Sequence, residues 1–124
     1  MSLDLQLKIV ARARRLITDP DHWTKGTIAR GRRGVQLPAT NPQARKFSAY
    51  GALVRAAYAE VRDKGRADKL ARAIVENMQW TLGLLDDVQE LNHHSAKDIG
   101  HPKVLKVFDD FLVAESHSVM ATQN

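Results

Sequence analysis

The stretch DPDHWTKGTIARGRRG, residues 19 to 34, gathers side chains suited to chemistry: His22, Trp23, Lys25, Arg30, Arg32 and Arg33, spaced by Gly26, Gly31 and Gly34. Gly26 to Gly31 has the spacing of a Walker loop, in which backbone amides cradle phosphate and a Lys-Ser/Thr pair follows. Arg32-Arg33 stands in place of that pair, and Val35-Gln36-Leu37 does not begin a helix, so nucleotide hydrolysis is not expected. The glycines suit the positive-φ corners of a turn instead. Guanidinium groups on such a turn can grip phosphate oxygens through paired hydrogen bonds. Lys25, Arg30, Arg32 and Arg33, joined by Arg12, Arg15, Arg45 and Lys46, therefore form a candidate anion-binding set. The competing reading is a solvated turn, or arginines paired with acids from the second half of the chain.

Other constellations are weaker. His93, His94 and His101 with Asp98 offer imidazole and carboxylate, the ligands of divalent transition metals. Adjacent histidines usually point apart, and no His-Glu-x-x-His spacing occurs, so no metal is expected. His101, before Pro102, suits a helix start. His22 beside Trp23 could supply a general base or a stacking platform. A Trp flanked by Pro in a loop more often anchors that loop to the core, because its large ring gains from burial. A pocket joining His22 and Trp23 to His93, His94 and Asp98 is the remaining enzyme reading. Asp86-Asp87 and Asp109-Asp110 are sequence neighbours, about 100° apart on a helix, which does not face two carboxylates at one substrate. No Gly-x-Ser-x-Gly surrounds any serine. The chain leans away from being an enzyme, and no cofactor is expected.

Composition bounds the rest. The 124 residues fit one domain with one core. No cysteine is present, which removes disulfides, thiolate metal sites and cysteine nucleophiles. No apolar run approaches the roughly 20 residues of a membrane span, and Lys8, Arg12, Arg14 and Arg15 interrupt the first segment, unlike a secretory signal. A cytoplasmic protein without membrane contact is expected. The net charge of +5 divides unevenly. Residues 1–62 carry twelve Lys and Arg against four Asp and Glu, a net of +8, whereas residues 63–124 carry seven against ten, a net of −3. Such polarity suits nucleic acid or another polyanion at one end, or head-to-tail self-association into a homo-oligomer.

The elements that must position these groups follow from periodicity. Leu3, Leu7, Val10, Ala13 and Ile17 share one helical face, and Asp19-Pro20 stops that helix near Thr18. Residues 27–30 and 35–37 suit two short strands joined by 31–34, with Ile28 opposite Leu37. Asn41-Pro42 reads as the start of a second helix reaching Arg62, apolar nearly all round and hence central. Its run Ala49-Tyr50-Gly51-Ala52 offers a small-residue face for another helix. Lys64-Gly65 marks a break, and a third helix spans residues 67–82, with Leu70, Ile74, Met78 and Leu82 inward and Trp80 at the margin. Residues 86–101 read as irregular, and a last helix runs from Pro102 to Glu115 with a frayed tail over residues 116–124. The expected fold is mainly α, a small bundle of four main helices with a short β-hairpin or irregular insertion between helices 1 and 2, in one domain over residues 1–115.

The order H-W-T-K-G at 22–26, Gly34, F-S-A-Y-G-A-L at 47–53 and V-L-K-V-F-D at 104–109 resembles a family of small bacterial and phage proteins of unknown function. That family's pattern is an amphipathic helix, a Trp-Thr/Gln-x-Gly segment, a Gly-bearing turn, a helix with Cys-x-x-Gly-Ala-Leu and an Asn-Asp pair before the last helix. Ser48 stands here where many members have Cys, and Asn92-His93 stands at the Asn-Asp pair. The resemblance implies a helical fold and no assigned activity. The leading expectation is thus a noncatalytic helical protein binding an anionic partner, most plausibly nucleic acid, through its basic half. The alternative is a self-associating or protein-binding module, and behind it the His/Trp-lined enzyme pocket.

Overall fold

A computed structural model of the chain describes residues 3–24, 27–82 and 101–122, with side chains to residue 116 in the last segment. Among these residues four helices carry the fold: α1 (Leu3–Leu16), α2 (Ala49–Val61), α3 (Lys64–Leu82) and α4 (His101–Thr122). They close a ring, α1 against α2 and α4, and α3 against α2 and α4. Between α1 and α2 lies a small antiparallel sheet of three two-residue strands, β1 (Ala29–Arg30), β2 (Gln36–Leu37) and β3 (Lys46–Phe47), in the order β2-β1-β3.

The helix faces follow the apolar spacing. Ile9, Val10 and Ala13 of α1, with Ile17 just beyond it, are buried against Leu53 of α2, Ile74, Val75 and Met78 of α3, and Val104, Phe108 and Phe111 of α4. α2 is central, with eight buried residues from Ala49 to Ala57. Leu70 and Leu82 are half-buried at the edge of this core, while Trp80 is 89% exposed and so lies outside the face its spacing was expected to border. Asp19 closes α1 by accepting from the Asp21 amide at the head of a single 3-10 turn, Pro20–His22. α4 begins one residue before Pro102, leaving that proline where a helix lacks an amide partner anyway. It continues past the expected end at Glu115 to Thr122.

Three expectations need correction. α2 does not start at Asn41-Pro42. The Asn41 side chain accepts from the Gln43 amide at 2.8 Å, making a local turn that competes with a helix cap. The chain then runs along the free edge of β1 as β3, and Ser48 takes over as cap, its Oγ accepting from the Gly51 amide at 3.0 Å. The hairpin is one residue out of the expected register: Ala29, not Ile28, faces Leu37. The period-two alternation turns such a slip into a change of face, so fully buried Ala29 points into the core. Finally, the break before α3 falls at Arg62-Asp63, where Arg62 adopts φ 57° and Asp63 accepts from the Arg66 amide. Gly65 lies inside the first turn.

The expected small-residue face of α2 is real, but a helix does not fill it. Ser48 donates its hydroxyl to the Ile28 carbonyl, which also receives the Ser48 amide at 3.1 Å. A Cβ at Gly51 would stand 2.0 Å from that carbonyl oxygen. The backbone leading into β1 thus presses directly on α2, which fixes the insertion to the bundle.

Candidate functional site

The basic turn is built by backbone geometry. The Gly31 amide donates to the Val35 carbonyl at 2.8 Å, closing a loop of Arg32, Arg33 and Gly34. Gly31 is closely packed: a Cβ there would meet Leu37 Cδ1 at 2.6 Å and the Gln43 carbonyl oxygen at 3.2 Å. Arg33 and Gly34 both take positive φ, 59° and 73°. For a non-glycine residue that conformation costs about 1 kcal/mol or more. Arg33 is therefore held at the loop's tip against its own backbone preference.

Beside this loop opens a hollow of about 1050 Å³. Asp21, His22 and Thr24 border it on the α1–β1 connection, Arg30, Arg32, Arg33 and Gly34 on the hairpin, and Arg45 and Lys46 on the segment entering β3; Leu16 and Phe47 contribute apolar surface. A second, smaller hollow of about 320 Å³ is lined by Pro42 and Gln43 and again by Arg32 and Arg45. These two arginines form the saddle between the hollows.

The expected anion-binding residues separate into distinct groups. Arg32, Arg33, Arg45 and Lys46 are exposed, and among the described residues their side chains take part in no hydrogen bond or ion pair. Arg30 lines the same hollow but is engaged: its Nε donates to Thr24 Oγ1 at 3.0 Å and its Nη1 to the Gly34 carbonyl at 2.9 Å. It braces the loop, a role its residue type alone does not reveal. Arg12 reaches Glu60 at 3.7 Å on the helical bundle, away from the hollow, and Arg15 is exposed on α1 and does not line it either. Lys25 lies outside the described residues.

The expected His/Trp pocket divides as well. His22 is exposed and borders the hollow. Trp23 turns the other way as the anchor of its loop: half-buried, it bridges Phe47, and its ring lies 5.6 Å from that of His101 at a 41° tilt. His101 in turn hydrogen-bonds the Ile17 carbonyl through Nε2, tying the start of α4 to the end of α1. His93, His94 and Asp98 lie outside the described residues, and of that joint pocket only His22 and Trp23 lie within them. Among the described residues no three His, Cys, Asp or Glu side chains converge as a metal site.

Sequence reading missed Arg55, which lies near the middle of the apolar α2. Its Nη1 donates to the carbonyls of Ala39 and Asn41, at 3.1 and 2.8 Å, and its guanidinium carbon sits 5.9 Å from the centre of the Phe47 ring. A single cation in the middle of a largely apolar helix was the available signal. Arg55 holds the Pro38–Asn41 turn and so sets where Arg45 and Lys46 emerge.

Elsewhere some of the cations are paired. Arg14 makes two bonds to Asp109, at 3.0 and 3.3 Å, and Arg72 meets Asp68 at 3.0 Å. Asp68 also accepts from the Tyr50 hydroxyl at 2.6 Å. Burial, reinforced by that hydrogen bond, pushes the Tyr50 phenol up to about 12, with Arg72 opposing.

A family model described as "Family of unknown function (DUF6197)" matches residues 1–111. No curated protein and no solved structure matches the chain. No helix among the described residues is long and apolar enough to cross a membrane.

Proposed function

Since the chain belongs to that family of unknown function, no activity comes with its membership, and we propose from the site itself that it is a noncatalytic helical protein that binds a polyanion, nucleic acid being the simplest. Arg32, Arg33, Arg45 and Lys46 are the contacts, Arg30 and Arg55 the braces that aim them. One observation carries this reading: four cations without side-chain partners among the described residues, from two separate segments, border one hollow of about 1050 Å³. Cations grouped without counter-charges repel one another, and that repulsion is relieved when phosphates arrive and release their own condensed counterions. Asp21 on the rim opposes the attraction on one side, which places the anion nearer the hairpin and the entry to β3.

Binding by phosphate contact predicts weak sequence preference and steep salt dependence. With four contacts the logarithm of the binding constant should fall with the logarithm of salt at a slope of about −3, between the single-strand and duplex values per phosphate. A titration of labelled random-sequence DNA, single-stranded and duplex, at several salt concentrations measures this slope. Absence of binding at low salt, or binding insensitive to salt, would refute the proposal.

A further inference from the structure

We infer that the polyanion is a single strand of nucleic acid whose backbone crosses the Arg32–Arg45 saddle, with successive phosphates in the two hollows. This rests on the polyanion reading above and narrows it to one kind of ligand and one path. Two observations carry it. Arg32 and Arg45, and no other residue, line both hollows. A ligand bearing one phosphate needs one of them, whereas a linear phosphodiester can fill both and be gripped at the pass between. The second observation is size. The larger hollow holds about 1050 Å³, too little to take in a duplex, whose major groove alone is roughly 12 Å wide. A rigid duplex therefore rests on the rim, touching the outermost arginines, whereas a flexible strand enters.

The aromatic layout adds a consequence. Proteins that track single strands commonly stack bases on exposed aromatic rings. Here Trp23 is committed to His101 and Phe47 is buried, leaving the His22 ring as the one exposed ring among the described residues lining the hollow. The strand is thus held by its backbone, with little base preference.

Gln43 discriminates this path, because it lines the second hollow alone and its side chain is exposed. The experiment measures binding of oligothymidylates of about three and about ten nucleotides, and of a random duplex, to the native chain and to Gln43→Glu at fixed low salt. The longer strand should bind best, the duplex at least several-fold more weakly, and Gln43→Glu should weaken the long strand by about threefold while leaving the short one unchanged. Circular dichroism of the variant checks that its fold is intact. Duplex binding as tight as single-strand binding, or no selective effect of Gln43→Glu on the longer strand, overturns the inference while the polyanion reading stands. Failure of all three probes to bind overturns both.

Discussion

On the helices, Arg14 meets Asp109, Arg12 reaches Glu60, Arg72 pairs with Asp68 and Arg55 binds two carbonyls. In the insertion, Arg32, Arg33, Arg45 and Lys46 meet no such partner among the described residues. The two regions share residue types and differ in what surrounds them. α1 is packed against α2 and α4, which bring Glu60 and Asp109 beside its arginines. The insertion is joined to the bundle through backbone carbonyls at Ile28, Ala39 and Asn41, which satisfy donors without neutralising the cations at its rim. Charge at those four helix positions serves the fold; at the four insertion positions it is left available among the described residues. Part of the excess of +8 in residues 1–62 thus serves each use.

The largest effect should come from breaking the junction between the regions. Gly51→Ala forces a methyl group to within 2.0 Å of the Ile28 carbonyl oxygen, and overpacking of that kind should cost about 3 kcal/mol or more. Chemical denaturation would record it as a lower midpoint. Arg55→Met keeps the chain length and apolar contact but abandons the Ala39 and Asn41 carbonyls and the Phe47 ring, for a loss of about 2 kcal/mol. The same variant should weaken polyanion binding, because the segment carrying Arg45 and Lys46 loses its brace.

Arg33→Gly sharpens the comparison by changing sign. Removing the side chain relieves the left-handed strain at φ 59°, and despite a more flexible unfolded chain the variant should be stabler by about 0.5 kcal/mol. Its affinity for polyanions should nevertheless fall. Stability and binding moving in opposite directions, read by denaturation and titration on one sample, would distinguish a residue kept for contact from one kept for folding.

The smallest effect at ordinary pH belongs to Tyr50. Its folded phenol ionises at about 12, above the unfolded value of 10.0, so the folded state retains a proton that the unfolded chain releases. The resulting stabilisation is complete below pH 10 and is lost as pH rises towards about 12. Tyr50→Phe should flatten that alkaline decline, measured by thermal melts across the range.

The helical layer was legible because each helix repeats its apolar residues every three or four positions over several turns, as Ile74 and Met78 or Val104, Phe108 and Phe111 do. The insertion was legible only in part. Its strands are two residues long, so alternation had too little length to separate Ala29 from Ile28 as the partner of Leu37. Asn41-Pro42 carries a sound helix-start signal, and it was overridden by an Asx turn and by the unpaired edge of β1. Among the site residues, sequence identified the cations but not their partners. Arg30 and Arg33 look alike along the chain, and only the fold shows one bound to Thr24 and Gly34 and the other without a partner among the described residues.

The division of charge between the two regions is tested most directly by comparing salt dependence after equal charge removal in each. Arg32→Gln with Arg33→Gln should lower the slope of the binding constant against salt by about 1.4, two single-strand contacts' worth. Arg12→Gln with Arg72→Gln, which removes the same charge from the helices, should leave the slope unchanged. Equal loss of slope from both pairs would mean that net charge alone attracts the polyanion, and would contradict the account.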